Sequence, residues 1–286
     1  MKITKAVIPV AGFGTRFLPV TKALPKEMLP IVDKPVVQYI VEDLVKSGIS
    51  DIIFVTGQNK RAIEDHFDYH PELEAWLEKS GKKEQLEQIR EIASLANFVY
   101  IRQKGPYGNG TPVLNAEHLI GNEPFVVVWG DDLYRSRKKP HIQALMEVFK
   151  KYESPVLTAI DIDDEGTKKN AVIEGPEVEP GLYKVEKMAE KPGPAAMKSR
   201  IGVLGAYVLT PDIFSELKKT PIRKGELWLA DAIASLAKKR ELYAKKTERQ
   251  FFDTGSKIGW FEANIAIGLE HPEIKDELKR LLKTYK

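Results

Sequence analysis

The sequence predicts an α/β fold in which parallel strands alternate with helices around one doubly wound sheet. Three observations support this prediction: short apolar runs bounded by turn formers, helical spacing between those runs, and the regular alternation of the two patterns. The 286 residues are enough for one large domain, and a hydrophobic fraction of 43% provides a substantial core.

Four runs rich in β-branched residues in the first half of the chain are predicted to be strands. Near-continuous apolarity in such short runs is typical of strands that are covered on both faces. The runs are 6–10, 51–56, 98–101 and 125–129. Helices are predicted between Pro35 and Gly48, and over the charged segment 71–96. This alternation indicates a mostly parallel, Rossmann-like sheet.

The rest of the chain is predicted to form a mixed sheet extension followed by C-terminal helices. The strand-like runs are 155–162, 171–173, 183–188 and 201–209, and the helical ones are 227–239, 258–269 and 272–286. We expect the extension to cover the C-terminal edge of the first sheet. We interpret 1–254 as one α/β domain, with the extension near 155–210, and 255–286 as a C-terminal helical segment. Its Trp260, Phe261 and Ile265 could pack between subunits of a homo-oligomer or equally within the chain.

The composition excludes several classes of protein. The 44 basic and 41 acidic residues leave a net charge of +3, which is too balanced for general nucleic-acid binding. We interpret the basic runs at 137–140 and 238–240 as solvated surface. There is no cysteine for disulfides or thiolate sites, and no apolar run approaches a membrane span. We therefore expect a cytoplasmic protein without membrane or nucleic-acid partners.

A glycine-rich loop follows the first predicted strand directly, where open α/β sheets bind ligands. Glycines there let backbone N–H groups approach phosphate oxygens closely. The loop lacks a Walker A pattern, and a dinucleotide fingerprint fails because Phe17 replaces a small residue and Thr56 ends the second strand without an acid. Its ligand-facing candidates are Ala11, Gly12, Gly14 and Thr15.

Three cations follow this loop, at Arg16, Lys22 and Lys26. Prolines at positions 19, 25 and 30 are expected to hold the segment in an irregular, extended form. Spacing alone is equally consistent with phosphate-binding cations and with ordinary surface lysines.

The stretch G-F-G-T-R-F-L-P-V-T-K-A-L-P-K-E-M-L-P, residues 12–30, resembles the signature of the sugar-1-phosphate nucleotidyltransferases. Its K-E-M-L-P element is similar to that of the UTP:glucose-1-phosphate uridylyltransferases. The resemblance implies a Mg²⁺-dependent transfer of UMP from UTP to glucose 1-phosphate, which gives UDP-glucose and pyrophosphate. It places Arg16 and Lys26 on the triphosphate.

Two later apolar runs end in acids. Gly130 is followed by Asp131 and Asp132, and the second run ends at Asp253. Mg²⁺ favours one or two carboxylates together with phosphate oxygens and water, although an isolated Asp-Asp pair is also typical of turns. The resemblance implies that Asp131 and Asp253 hold the metal and that Asp132 contacts the nucleotide.

The resemblance also implies the residues that recognise the base and the sugar. It assigns Gln103 and Gly108 to the uracil, and Glu27 either to the base or to organising the loop. The sugar phosphate is assigned to Glu190 and Lys191 of the A-E-K-P element, and to Gly205.

The sequence departs from the family pattern in three places. The usual G-L-G-H-A, Y-G-V-V and G-E-I-Q-L-T-D-A elements are replaced at 108–112, 170–173 and 225–232. These departures leave open the same chemistry with dTTP or another sugar phosphate, such as galactose 1-phosphate. A non-catalytic protein that binds nucleotide sugars is the alternative of a different class.

Overall fold

The structure is a computed structural model that describes residues 2–136 and 139–285. The strands are β1 (Lys5–Pro9), β2 (Pro30–Ile31), β3 (Lys34–Pro35), β4 (Asp51–Thr56), β5 (Asn97–Arg102), β6 (Phe125–Val128), β7 (Asp132–Arg135), β8 (Val156–Asp161), β9 (Ala171–Glu174), β10 (Glu177–Glu179), β11 (Leu182–Lys184), β12 (Lys187–Glu190), β13 (Ile201–Leu209), β14 (Tyr243–Lys246) and β15 (Gln250–Asp253). The α-helices are α1 (Val36–Lys46), α2 (Arg61–His66), α3 (Pro71–Lys79), α4 (Lys83–Ala93), α5 (Gly110–Asn115), α6 (Glu117–Ile120), α7 (His141–Tyr152), α8 (Asp212–Lys219), α9 (Leu229–Leu236), α10 (Lys257–Gly268) and α11 (Lys275–Thr284). The basic run at 137–140 and the predicted helix end at 286 lie partly outside the described residues.

The central sheet has the strand order β10-β11-β14-β8-β13-β6-β1-β4-β5. Among the seven described strands from β14 to β5, β13 alone runs antiparallel to its neighbours within that set. Successive side chains of β1 enter different cores, because a strand presents alternate residues to opposite faces. Ala6 and Ile8 pack with α1 and α7, whereas Val7 packs with α5, α8 and α9. The predicted doubly wound, mostly parallel sheet is thus confirmed.

The mixed extension is part of the central sheet, so the prediction that it covers the edge of a first sheet is wrong. Strand β13 lies between β6 and β8 and is buried from Gly202 to Leu209. Such a strand needs hydrogen-bonding neighbours on both edges, since no water reaches its backbone. Only β9 and β12 branch off, with β9 pairing with the first residues of β13.

Two predicted elements are each divided in the structure. The strand predicted at 183–188 is β11 followed by β12, because the chain changes partner from β14 to β9 between them. The helix predicted over 71–96 is the pair α3 and α4. Gly81 breaks it with a φ of 71°, and Lys82 N–H closes the turn on the carbonyl of Leu77.

The ends of several strands meet at one edge of the sheet. β1 leads into the glycine-rich loop, β5 into Gln103, and β6 into Gly130 and Asp131. The two-stranded ribbon of β7 and β15 pairs Asp132 with Asp253. Among residues 2–136 and 139–285, no helix combines the length and apolarity needed to cross a bilayer.

Candidate active site

The glycine-rich loop after β1 packs against the cationic segment that follows it. Gly14 has a left-handed φ of 67°, and a Cβ there would lie 3.2 Å from side-chain atoms of both Lys26 and Thr21. Thr21 Oγ1 donates a hydrogen bond of 2.8 Å to the Gly14 carbonyl. The loop therefore depends on a residue without a side chain at position 14.

The cationic segment is coiled into three short 3-10 turns, at Thr15–Phe17, Val20–Lys22 and Lys26–Met28. The prediction of an irregular segment is correct, but the prediction of an extended one is wrong. Carbonyl groups at 14, 15, 19, 20, 25 and 26 accept local backbone bonds, which shortens the path. As a result, Arg16 and Lys26 both pair with Asp131, whereas Lys22 is exposed.

The predicted catalytic cations and metal-binding acids form one charged cluster. The Lys26 ammonium hydrogen-bonds the Asp131 carboxylate. The Arg16 guanidinium lies 3.2 Å from Asp253 and 3.8 Å from Asp131. Burial alone would lower the pKa of Lys26, but the Asp131 and Glu27 charges outweigh burial and raise it. The Lys26 side chain is therefore a cation at neutral pH.

Two residues that the sequence did not reveal support this cluster. Thr254 donates its N–H and its hydroxyl to the Asp131 carbonyl, at 3.0 and 2.7 Å. A Cβ at Gly255 would fall 2.1 Å from an Asp131 carboxylate oxygen and 2.5 Å from the Arg16 guanidinium. The D-T-G triplet that begins at Asp253 thus supplies an acid, a threonine that binds the Asp131 carbonyl, and a glycine that leaves room for the Asp131 and Arg16 side chains.

Asp132 and Gly205, which the resemblance assigned to different substrates, contact each other. Gly205 N–H donates to Asp132 Oδ2 at 2.9 Å, and a Cβ at Gly205 would overlap the Trp129 ring. Burial, followed by the nearby charges of Asp131 and Asp253, raises the pKa of Asp132 well above its usual value. Burial and these charges favour the neutral form of Asp132, so three carboxyl groups gather here beside the two cations Arg16 and Lys26.

A cavity of about 350 Å³ lies beyond the carboxyl ends of β1, β5 and β6. Its position matches the ligand-binding edge of open α/β sheets. The predicted residues that line it are Ala11, Gly12, Lys26, Glu27, Gln103, Gly108 and Asp131, and further lining comes from Phe13, Tyr107, Asn109, Pro112 and Trp129. The glycine-rich loop, the cation Lys26, the acid Asp131 and the predicted base-binding residues therefore line one concave site.

Glu27 is fully buried, and one of its oxygens accepts a hydrogen bond of 2.7 Å from the Lys60 ammonium. Burial raises the pKa of Glu27, while Lys60 and then Lys26 oppose this rise. Lys60 is not among the site residues predicted from the sequence. The sequence feature that indicates a place near the site is its position shortly after β4, at the edge where the other site loops gather.

Two aromatic side chains flank the entrance to the cavity. Phe13 is 72% exposed and Tyr107 is 65% exposed, with ring centroids 6.1 Å apart. Beside them, Gly108 has a φ of 106°, and a Cβ there would lie 2.3 Å from the Leu227 carbonyl oxygen. The loop that follows Gln103 is therefore pressed against the segment preceding α9.

Glu190 and Lys191 stand at the end of β12, outside the lining of the 350 Å³ cavity. Their charged groups are 3.5 Å apart. Burial raises the pKa of Glu190, the Lys191 charge opposes this rise, and Asp231 and Glu226 add to it. Burial and the charges of Asp132 and Glu190 also raise the pKa of Tyr207, so both carboxylates lie near that ring. The two halves of the predicted site are thus neighbours.

The carboxylates are compatible with a cation that substrate phosphates help to hold. Within residues 2–136 and 139–285, no group of three or more His, Cys, Asp or Glu side chains forms a ready metal site. Mg²⁺ commonly takes only one or two carboxylates and completes its octahedron with phosphate oxygens and water. Asp131 and Asp253, joined through Arg16, supply such a pair.

Comparison with known protein families and sequences gives one consistent result. Residues 5–268 match the family model described as Nucleotidyl transferase. The chain is 47% identical, over 99% of its length and 95% of the relative, to the Bacillus subtilis UTP–glucose-1-phosphate uridylyltransferase YngB. It is 44% identical, over 99% of its length and 98% of the relative, to a Staphylococcus epidermidis UTP–glucose-1-phosphate uridylyltransferase.

Solved structures agree with the sequence relatives. A UDP-glucose pyrophosphorylase complexed with UDP-glucose matches 94% of this chain and 100% of its own, with a TM-score of 0.86 and 39% identity. A UTP-bound UGPase from Acinetobacter baumannii matches 100% of both chains, with a TM-score of 0.91 and 34% identity. These matches confirm the predicted fold and the resemblance found at residues 12–30.

Proposed function

We propose that this chain, which belongs to the nucleotidyl transferase family, transfers UMP from UTP to α-glucose 1-phosphate and releases UDP-glucose and pyrophosphate. The observation that carries the proposal is the cavity in which the glycine-rich loop, Lys26, Gln103 and Asp131 meet. The names of relatives that align over nearly the whole chain support the same substrates.

The chemistry requires charge compensation more than proton transfer. The phosphate of a sugar 1-phosphate already carries an anionic oxygen, which attacks the α-phosphorus of UTP while the bond to pyrophosphate breaks. Two polyanions must therefore approach each other, and the leaving group gains charge. In our proposal, Lys26 and Arg16 bind the triphosphate oxygens and stabilise the departing pyrophosphate. Both cations already lie within the charged cluster that they form with Asp131 and Asp253.

We propose Asp131 and Asp253 as the protein ligands of Mg²⁺. When bound, the metal would neutralise phosphate charge beside the two cations. The excess of acidic groups around Asp132 supports a cation at this place.

In the nucleotide half, Ala11, Gly12, Gly14 and Thr15 provide backbone close to phosphate oxygens. Gln103 offers a side-chain amide to the edge of the uracil, and Gly108 allows close packing of the base. Glu27 stabilises the loop through its hydrogen bond from Lys60. In our proposal Asp132, which accepts a hydrogen bond from Gly205 N–H, lies next to the nucleotide. A base that leaves the Gln103 amide unpaired would bind poorly.

In the sugar half, the Glu190 carboxylate accepts hydrogen bonds from sugar hydroxyls, and Lys191 binds the sugar phosphate. Gly205 contributes to this half because it has no side chain, which leaves space for the Trp129 ring beside Asp132. The neighbouring charges of Glu190 and Lys191 support this assignment.

A substrate panel tests the proposal. Each of UTP, dTTP, CTP and ATP is paired with glucose 1-phosphate, galactose 1-phosphate or no sugar phosphate, and pyrophosphate release is measured with Mg²⁺. The expected result is the highest kcat/KM for UTP with glucose 1-phosphate. A preference for dTTP or another sugar phosphate would replace the proposed substrates. UDP-glucose binding without turnover would favour the non-catalytic alternative.

We further propose a cytoplasmic homo-oligomer, with residues 1–254 carrying the chemistry and 255–286 providing subunit contacts. Phe261 and Ile265 on α10 are 56% and 40% exposed and support such contacts. Trp260 instead packs within the chain, edge-on against Phe17, with its indole N–H on the Pro30 carbonyl. Sedimentation equilibrium tests the proposal, because Phe261→Glu should lower the assembled mass. Nucleoside triphosphate substrates support the cytoplasmic location.

A further inference from the structure

The Lys191 ammonium lies over the face of the Trp228 ring, 5.0 Å from the ring centroid. Its other close neighbour is the Glu190 carboxylate at 3.5 Å. A cation within about 6 Å of an indole centroid is attracted by the ring quadrupole. Trp228 occupies the place of the glutamine in the family element G-E-I-Q-L-T-D-A. A chain with glutamine at this position would not make the cation–π contact.

The backbone of Lys191 is fixed, so side-chain contacts determine where its ammonium lies. Lys191 has a φ of 44°, its N–H donates to the Asn170 carbonyl at 3.2 Å, and Pro192 follows. The four-carbon stem remains flexible and carries a large rotamer entropy. Without a partner besides Glu190, the ammonium would rest on that carboxylate or move through solvent.

Trp228 is held on both sides by the loop that follows Gln103. Leu227 N–H donates to the Tyr107 carbonyl at 2.7 Å, and Leu229 N–H donates to Asn109 Oδ1 at 2.8 Å. Leu227 and Leu229 are buried, whereas Trp228 between them is partly exposed. The indole is therefore a partly exposed surface on a fixed piece of backbone.

We propose that Trp228 is a positioning residue for the sugar phosphate, acting through Lys191. The ring face attracts the ammonium without accepting a directed hydrogen bond, so the N–H donors of Lys191 stay available for phosphate oxygens. A glutamine at this position would instead take one donor with its amide oxygen. The inference rests on the proposed function, since it assumes that Lys191 meets the sugar phosphate.

The test compares KM values for the two substrates in variants of the full chain. Trp228→Gln should raise KM for glucose 1-phosphate roughly three- to tenfold, as expected for loss of a cation–π contact. KM for UTP and kcat should stay within twofold of wild type. Trp228→Phe keeps an aromatic face and should restore most of the affinity for glucose 1-phosphate.

A second lysine–tryptophan pair provides a matched control. Lys82 lies 4.8 Å from the ring centroid of Trp76, on the exposed surface around α3. Trp76→Gln removes the same type of contact away from the site and should leave both KM values unchanged. In a Lys191→Met background, Trp228→Gln should have no further effect on KM for glucose 1-phosphate, because its effect passes through the lysine.

Several results would overturn the inference. An unchanged KM for glucose 1-phosphate in Trp228→Gln, an equal rise in KM for UTP, or full additivity with Lys191→Met would each contradict it. A wild-type chain that makes no UDP-glucose would contradict the proposed function instead. In that case, calorimetric binding of glucose 1-phosphate to wild type, Trp228→Gln and Trp228→Phe decides the inference. If Trp228→Gln does not fold, Trp228→Phe and Trp228→Leu provide the same comparison.

Discussion

At the residue scale, the site is organised by pairs of opposite charge. Lys26 and Arg16 share the carboxylate of Asp131, Arg16 also pairs with Asp253, and Lys60 balances Glu27 in the interior. Lys26 and Asp131 of the first set line the cavity, and in the proposed function the two cations would exchange carboxylate partners for phosphate oxygens. The second is nearly inaccessible to solvent, so its contribution is to the fold of the loop. The two lysines should therefore respond differently to mutation.

Lys26→Ala should lower kcat/KM by about 100-fold or more, the usual cost of removing one preorganised donor from a developing anion. Folding should be retained, because the loop keeps its backbone hydrogen bonds. Steady-state pyrophosphate release and circular dichroism check both statements. Lys46→Ala is the control, since that side chain is 68% exposed and pairs with Glu42 at 3.9 Å, away from the site. Comparable activity in the two variants would contradict the assigned role.

Lys60→Met should lower the free energy of unfolding by about 3 kcal/mol, since it removes the hydrogen-bonded counter-charge of the buried Glu27 carboxylate. Adding Glu27→Gln to Lys60→Met should recover part of that loss. Urea denaturation of the single and double variants measures both effects. A single variant as stable as wild type, or a double variant no more stable than the single, would show that the pair does not compensate as described.

At the element scale, sequence patterns located most strands and helices but not their partners. The bounds of β1, β4, β5, β6 and β13 were predicted within one residue at each end, but β5 is an edge strand with no buried residue, so its predicted coverage on both faces is wrong. The division of 183–188 into β11 and β12 escaped prediction, because it depends on which distant strand each part joins. The ribbon of β7 and β15 was missed for the same reason. Of the ribbon, the sequence indicated only Asp132 at the start of β7 and the short apolar run that ends at Asp253 in β15.

The start of α7 is attached to the sheet through a buried histidine. His141 Nε2 donates to Thr158 Oγ1 at 2.9 Å, since that hydroxyl itself donates to the Ala206 carbonyl. The His141 ring stacks on Tyr134 with centroids 4.0 Å apart. Burial, helped by the charge of Arg249, lowers the pKa of His141 to about 3. The folded protein therefore holds this ring neutral.

This pKa predicts acid sensitivity of the fold. An unfolded chain takes up a proton at His141 near pH 6.5, whereas the folded chain does so only near pH 3. The associated stability is present above pH 6.5 and is lost as pH falls towards 3, about 2 kcal/mol of it between pH 7 and 5. His141→Gln should reduce the loss between pH 7 and 5 by that amount in urea titrations. His118→Gln, at an exposed position, should keep the wild-type dependence. Equal slopes in the wild type and His141→Gln would contradict the buried neutral histidine.

At the scale of the whole molecule, the fold brings together groups that lie more than two hundred residues apart in sequence. Arg16 and Asp253 of the site are one such pair, separated by 237 positions. Family resemblance and the rule that ligands bind at strand ends predicted this meeting. Neither could predict the contacts of Trp129 or Thr254, because these follow from how loops pack, and the strand-end rule gives only the approximate position of Lys60. The Trp228–Lys191 contact could not be predicted either, because it depends on how the loop after Gln103 packs against the start of α9.

The central claim is that a phosphate oxygen of the sugar phosphate attacks the α-phosphorus of UTP. The most direct test uses glucose 1-phosphate whose non-ester phosphate oxygens are ¹⁸O, incubated with UTP, Mg²⁺ and the full chain. We predict that UDP-glucose retains all of the label and that pyrophosphate contains none, as measured by ³¹P NMR isotope shifts. Label in pyrophosphate, or UDP-glucose without it, would contradict this account of the site.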